Sequence, residues 1–167
     1  MKLVLLLLFL TTFTFAEKVT HENIPDSITN AIMLNECFIE NKLCNPYVVA
    51  LNKKSDIKKA KKLGYKIKYR RIIKCKNLDR CVKITKKLIA NGIKSLDLGA
   101  YQMNYHFNPD NNLKVYFDMQ KAELKVKKII ARLINRHGYS WQTLGRYHSG
   151  TKSKNESYCK RLFANLN

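Results

Sequence analysis

Acid is scarce in this sequence. Of its 167 residues only 12 are Asp or Glu, against 32 Lys or Arg, and the formal net charge is +20. A surface so unbalanced seeks anions: nucleic acid, anionic lipid or an acidic cell-wall polymer. No nucleic-acid-binding motif accompanies the charge, because the basic residues are spread through helix-like and strand-like segments alike. Zinc-type Cys/His spacing is absent as well, so neither a metal nor any other cofactor is expected. There is no internal repeat, and no stretch among the three prolines and six glycines reads as a linker that would split the chain. One domain with one core is the expectation.

The only long apolar run stands at the start, in MKLVLLLLFLTTFTFA. A lysine, a short apolar core and a Thr14-Phe15-Ala16 ending have the layout of a secretory leader, with cleavage expected after Ala16. The core is shorter than the roughly 20 residues of a stable membrane span. The expected mature domain is 17–167, exported and without a span once the leader is removed. Export permits disulfides. The five cysteines, Cys37, Cys44, Cys75, Cys81 and Cys159, are an odd number, so at least one has no partner within the chain. Cys75 and Cys81 are close enough to close a local loop, which leaves Cys159 to tie the C-terminus to Cys37 or Cys44.

What the chain has in abundance is lysine. Residues 53–94 carry 17 Lys or Arg against Asp56 and Asp79, and 53–80 reads as a basic insert. Apolar residues recur at helical spacing over 27–41, after Pro25 and a capping Asp26 or Ser27. Asn45-Pro46 is the expected stop, because a residue before proline leaves the helical region. A short helix over 55–64 ends at Gly64, and KIKYRR (66–71) alternates like an exposed strand. Cys81, Ile84 and Leu88 mark an amphipathic helix over 80–90, and Ala122, Val126, Ile129, Ile130 and Leu133 mark the longest one, 114–137. The segment SLDLGAYQMNYHFNPD between them reads as loop, and a last short helix runs toward Asn165. The fold class is therefore mainly α with a small β element.

Glu40 draws attention as a lone acid at the end of the 27–41 run, with Met33, Glu36 and Cys37 on or beside its stripe. A carboxyl at a helix end among apolar neighbours has the makings of a general acid.

Three segments together carry a resemblance. They are Glu40 followed by Asn45-Pro46-Tyr47, then Asp97-Leu-Gly-Ala-Tyr-Gln-Met-Asn104, then Tyr147-His148-Ser149. In this order they resemble the lytic transglycosylases of the goose-lysozyme-like superfamily (the SLT domain), closest in look to the conjugation-associated subgroup. There a helix ends in a glutamate, usually followed by serine and soon by Asn-Pro; here Asn41 stands in the serine's place. The resemblance covers most of residues 27–150. It implies a lysozyme-like single domain in the periplasm, acting on peptidoglycan glycan strands, with a secretion or conjugation apparatus as partner. Glu40 would protonate the β-1,4 oxygen between MurNAc and GlcNAc. It would then accept the proton of the muramic C6 hydroxyl as a 1,6-anhydro ring closes. A nucleophile inside the substrate explains why one carboxylate suffices where ordinary glycosidases use two. Gln102, Asn104, Tyr147 and Asn41 would bind the sugar's polar groups, and Tyr101 would offer a ring face. Two other readings remain open. A lysozyme-like hydrolase would need a second carboxylate, Asp97 or Asp110, and a non-catalytic cationic wall-binding protein would need none.

Overall fold

The computed structural model describes residues 18–37, 39–40 and 43–166, with the side chains of residues 39, 40 and 43 outside that description. The expected leader and Asn41 therefore lie outside the described residues.

Pro25, at φ −62° and ψ 144°, turns the chain into α1 (Asp26–Glu36), which buries Ile28, Thr29, Ala31 and Ile32. The helix stops at Glu36, earlier than the apolar spacing and Asn45-Pro46 suggest. Cys37 is extended (φ −68°, ψ 146°) and is joined by a disulfide to Cys44. Between the two half-cystines, β1 (Ile39–Glu40) pairs antiparallel with β2 (Leu43–Cys44). The cause is geometric. A helix carried through 37–44 would set those Cα atoms roughly 10 Å apart at 1.5 Å per residue. The bridged atoms are 5.4 Å apart. Glu40 is accordingly a strand residue opposite Leu43, and the glutamate at the helix end is Glu36.

Next come β3 (Val48–Leu51) and α2 (Lys54–Lys62). All four β3 residues are buried: Val49 and Leu51 face the main core, while Val48 and Ala50 join Ile72 on the other side of the sheet. Strand formation follows at β4 (Ile72–Lys74) rather than over 66–71. Tyr69 and Arg70 sit instead at φ 47° and 66°, in a tight turn closed by the Lys68–Ile72 bridge. The fully buried β3 demands apolar partners, which Ile72 and Ile73 supply and the alternating basic run does not.

A second disulfide, Cys75–Cys81, spans the entrance of α3 (Leu78–Ala90), whose cap is the Asn77 side chain accepting from the Arg80 N–H at 3.0 Å. The segment expected as loop holds a tight antiparallel pair, β5 (Leu96–Leu98) and β6 (Met103–Asn104). The sheet order is β4-β3-β5-β6, antiparallel throughout. A 3-10 turn (Leu113–Tyr116) leads to α4 (Met119–His137), capped by Asp118, and then come α5 (Trp141–Gly145) and α6 (Lys152–Ala164). The molecule is mainly α with a small antiparallel sheet, as expected.

Helix α1 packs on α4 and α6, and α5 is held between α4 and α6. Thr29, fully buried on α1, donates to Glu123 Oε1 of α4 at 2.9 Å, and Lys127 of α4 pairs with Asp26. These contacts fix the N-terminal turn of α1 against α4, while near its other end Asn35 accepts from Asn165, just after α6, at 2.9 Å. The fifth cysteine corrects an expectation: Cys159 is a free thiol packed under α5, donating to the Trp141 carbonyl at 3.0 Å, and ties nothing to Cys37 or Cys44. Gly145 explains the tightness there, since a Cβ at that residue would lie 2.6 Å from the Cys159 sulfur. Among the described residues no helix is long and apolar enough to cross a membrane.

Candidate functional site

A cavity of about 650 Å³ opens where the end of α1, the sheet, α4 and the segment before α6 meet. Each wall contributes a different chemistry.

Helix α1 supplies Glu36, its last residue, whose side chain is 14% exposed. Helix C-termini favour cations, so an acid there is not serving the helix. Its Oε1 lies 3.1 Å from Nδ1 of His148.

The sheet supplies a polar network centred on Asp97. One carboxylate oxygen, Oδ1, accepts from Asn52 and Asn104, both at 2.8 Å, and Oδ2 pairs with Arg71 at 3.2 Å. Arg71 also donates to Asn52 and reaches Gln102 Oε1 at 3.5 Å. Gln102 folds back through its own amide, donating to the Gly99 carbonyl at 2.8 Å, and it occupies φ 44°. Asn104 Oδ1 accepts from the His106 N–H at 3.1 Å and so organises the turn beyond β6. Gly99 makes the close approach possible: at φ 72°, a Cβ would stand 1.8 Å from the Tyr116 carbonyl oxygen.

The third wall is the segment after α5. Tyr147 donates its hydroxyl to the Tyr101 carbonyl at 2.7 Å, pinning this segment to the Gly99–Gln102 turn. Burial, and after it the charges of Glu36 and Asp97 among others, hold the Tyr147 phenol well above its ordinary range, so it stays a protonated donor. The His148 ring lies flat on Tyr158, centroids 4.8 Å apart and planes 7° apart. Tyr158 is fully buried, and burial followed by the nearby Glu36 charge pushes its phenol upward too. The last wall is apolar and basic: Phe107, Ile129 and Leu133, with Arg132 donating to Asn108 Oδ1 at 2.7 Å.

Gln102, Asn104 and Tyr147, singled out from the sequence, meet in this one cavity. The glutamate beside them is Glu36, four residues before Glu40, whose side chain lies outside the described residues. Tyr101 does not offer a face: it is 2% exposed, its ring belongs to the core, and only its carbonyl takes part. The exposed aromatic is Phe107, 75% accessible at the cavity edge with its ring edge-to-face against His106, in a segment without periodicity to flag it. Of the two candidate second acids, Asp97 lines the cavity but is engaged by three side chains. Asp110 is tied to Lys125 at 2.9 Å, and that hydrogen bond holds its carboxyl below the usual range.

No family model, curated protein or solved structure matches this chain.

Whatever binds here meets one carboxyl group free of any Lys or Arg partner among the described residues, a partly apolar floor and a rim of amides. Such a lining can hydrogen-bond a polar ligand, pack against an apolar ring face and transfer a single proton.

Proposed function

We propose that this protein is a peptidoglycan lytic transglycosylase in which Glu36 is the single acid and base. The observation that carries the reading is the convergence on one cavity of a helix-terminal glutamate with Gln102, Asn104 and Tyr147, the residues on which the resemblance rests. The motif's glutamate ends a helix, and the residue that does so here is Glu36. In this reading Cys37, rather than Asn41, follows the acid.

The chemistry needs one proton moved out and back. Glu36, protonated, gives its proton to the β-1,4 oxygen as the bond to the muramic C1 breaks. The C6 hydroxyl of the same sugar attacks C1, and its proton returns to Glu36, leaving a 1,6-anhydro ring and consuming no water. Asp97 is the other carboxylate in the cavity, and its Arg71, Asn52 and Asn104 partners make it an organiser of the wall. A mechanism with one carboxylate therefore fits better than a two-carboxylate hydrolysis. Phe107 offers its ring to an apolar sugar face. Tyr147, whose proton is committed to the Tyr101 carbonyl, offers lone pairs to an N-acetyl N–H. The disulfides and the leader-like start support action outside the cytoplasm, in the periplasm. A secretion or conjugation apparatus as partner rests on the subgroup resemblance alone.

Mass spectrometry of digested peptidoglycan tests the reaction, with anhydro-muropeptides expected; reducing ends would mean hydrolysis instead. Glu36→Gln is expected to slow release by at least ~10²-fold, the usual scale for a lost general acid. Glu40→Gln is expected to stay within about threefold of the parent, well short of that scale. The opposite ranking would return the role to Glu40, and no loss in either would leave a wall-binding protein without catalysis.

A further inference from the structure

We propose that His148 is a positioning residue for Glu36, donating from Nδ1–H of its neutral imidazole to Oε1 and so reserving Oε2 for the substrate. The proposal rests on Glu36 being the acid.

Two observations restrict the ring. Nδ1 lies 3.1 Å from Oε1, and the ring is stacked nearly parallel on Tyr158, itself fully buried. A stacked ring keeps its plane, so the direction of the Nδ1 donor is fixed by packing and not by the hydrogen bond alone. Behind it the support continues: Arg161 sits 5.7 Å over the other ring of the stack, Tyr158. His148 and Glu36 come from elements 112 residues apart, and both line the cavity. The contact therefore also joins the end of α1 to the segment carrying Tyr147.

The tautomer matters because a carboxylic acid has two unlike oxygens. If Nδ1–H donates to Oε1, that oxygen is the carbonyl one, and the acid's proton resides on Oε2. Oε2–H then hands its proton to the glycosidic oxygen, the resulting carboxylate keeps the Nδ1–H bond, and Oε2 takes back the C6 hydroxyl proton. The imidazole begins and ends neutral, and the proton count closes without it. An Nε2–H tautomer would instead draw the acid's own proton onto Nδ1 and away from the substrate. Tyr158, beneath the imidazole, also faces Glu36, and burial followed by the Glu36 charge and hydrogen bonding keeps its phenol protonated there. The remaining groups around the pair do not compete for this role. Tyr147 spends its hydroxyl on Tyr101, and Arg146 and Lys154 line the cavity without an ion pair to Glu36.

Two variants separate the hydrogen bond from the stack. His148→Phe keeps an aromatic ring against Tyr158 and loses the donor; His148→Asn loses the ring and keeps an amide N–H near the place of Nδ1. With peptidoglycan as substrate, His148→Phe is expected to lower kcat about tenfold, the scale of one lost hydrogen bond, with KM within about twofold. His148→Asn is expected to keep at least a third of the parental kcat. Parental kcat in His148→Phe, or equal loss in both variants, overturns the proposal. A spectroscopic arm needs no turnover: ¹⁵N NMR of the imidazole should report the Nδ1–H tautomer in the parent and a shift toward Nε2–H in Glu36→Ala. An Nε2–H parent overturns it as well. If Glu36→Gln is inactive and His148→Phe is not, the positioning role falls while the proposed function stands. If the parent releases no anhydro products the function falls, and the NMR result still decides the tautomer.

Discussion

Gln102 shows how much of this site is held by single residues in uncommon positions. Its φ of 44° costs on the order of 1 kcal/mol for a side chain with a Cβ. Its amide regains part of that through the Gly99 carbonyl and the contact to Arg71. Gln102→Gly is therefore expected to change folding stability by less than about 1 kcal/mol, strain relief offsetting the lost hydrogen bonds. Activity should fall, since the cavity loses an amide. Denaturant melts and turnover on the same preparation check both. Gly99 is the opposite case. Any Cβ there meets the Tyr116 carbonyl oxygen at 1.8 Å in a backbone region that L residues rarely adopt. Gly99→Ala should cost about 3 kcal/mol or more, through strain and displaced packing. Of the residues in the cavity, Gln102, Asn104 and Tyr147 were legible because they sit in short motifs. Phe107 was not, because an exposed aromatic in an irregular segment leaves no periodic trace. Tyr101 was misread for a related reason: its motif position says nothing about which way its ring turns, and the ring turns inward.

At the scale of elements, periodicity identified α3 and α4 because their buried faces recur every three to four residues over three turns or more. It missed β3, whose four consecutive buried residues show no alternation to read. It carried α1 past Glu36, since Ile39 continues the helical spacing while the Cys37–Cys44 bridge, a covalent constraint that spacing does not encode, imposes a hairpin. Replacing both Cys37 and Cys44 with serine should cost about 2.5 kcal/mol by loop-closure entropy. For a domain of this size that is roughly 5–10 °C in Tm. Calorimetry measures it. The loop before the 3-10 turn is tethered differently, by Asp110 and Lys125 of α4. The Asp110 carboxyl has its pKa lowered on folding, chiefly by that hydrogen bond. Its contribution is thus complete above the ordinary carboxylate range near pH 4 and lost as pH falls through the lowered value. A plot of Tm against pH should have a shallower acid limb in Asp110→Asn than in the parent.

Charge dominates the whole molecule. With net +20, the surface is attracted to any polyanion as one object, whatever its cavity recognises. Such attraction is screened within about 10 Å at 0.1 M salt. Binding to anionic peptidoglycan should weaken steeply as salt rises, and Glu36→Gln should weaken in parallel, because its surface is unaltered. A pull-down with insoluble sacculi across a salt series checks this; a salt-independent association would mean that the cavity, and not the surface, sets affinity.

The acid at the end of α1 is followed directly by a half-cystine. Newly made chain in a reducing compartment lacks the covalent clasp that ends the helix at that residue, so its would-be reactive carboxyl has no fixed address. Oxidation supplies the clasp, and with it the geometry. Under the proposed function, a protein built this way would be blunt where it is synthesised and sharp where its substrate is. Mild reductant should therefore abolish turnover at temperatures where circular dichroism still reports an intact helical signal.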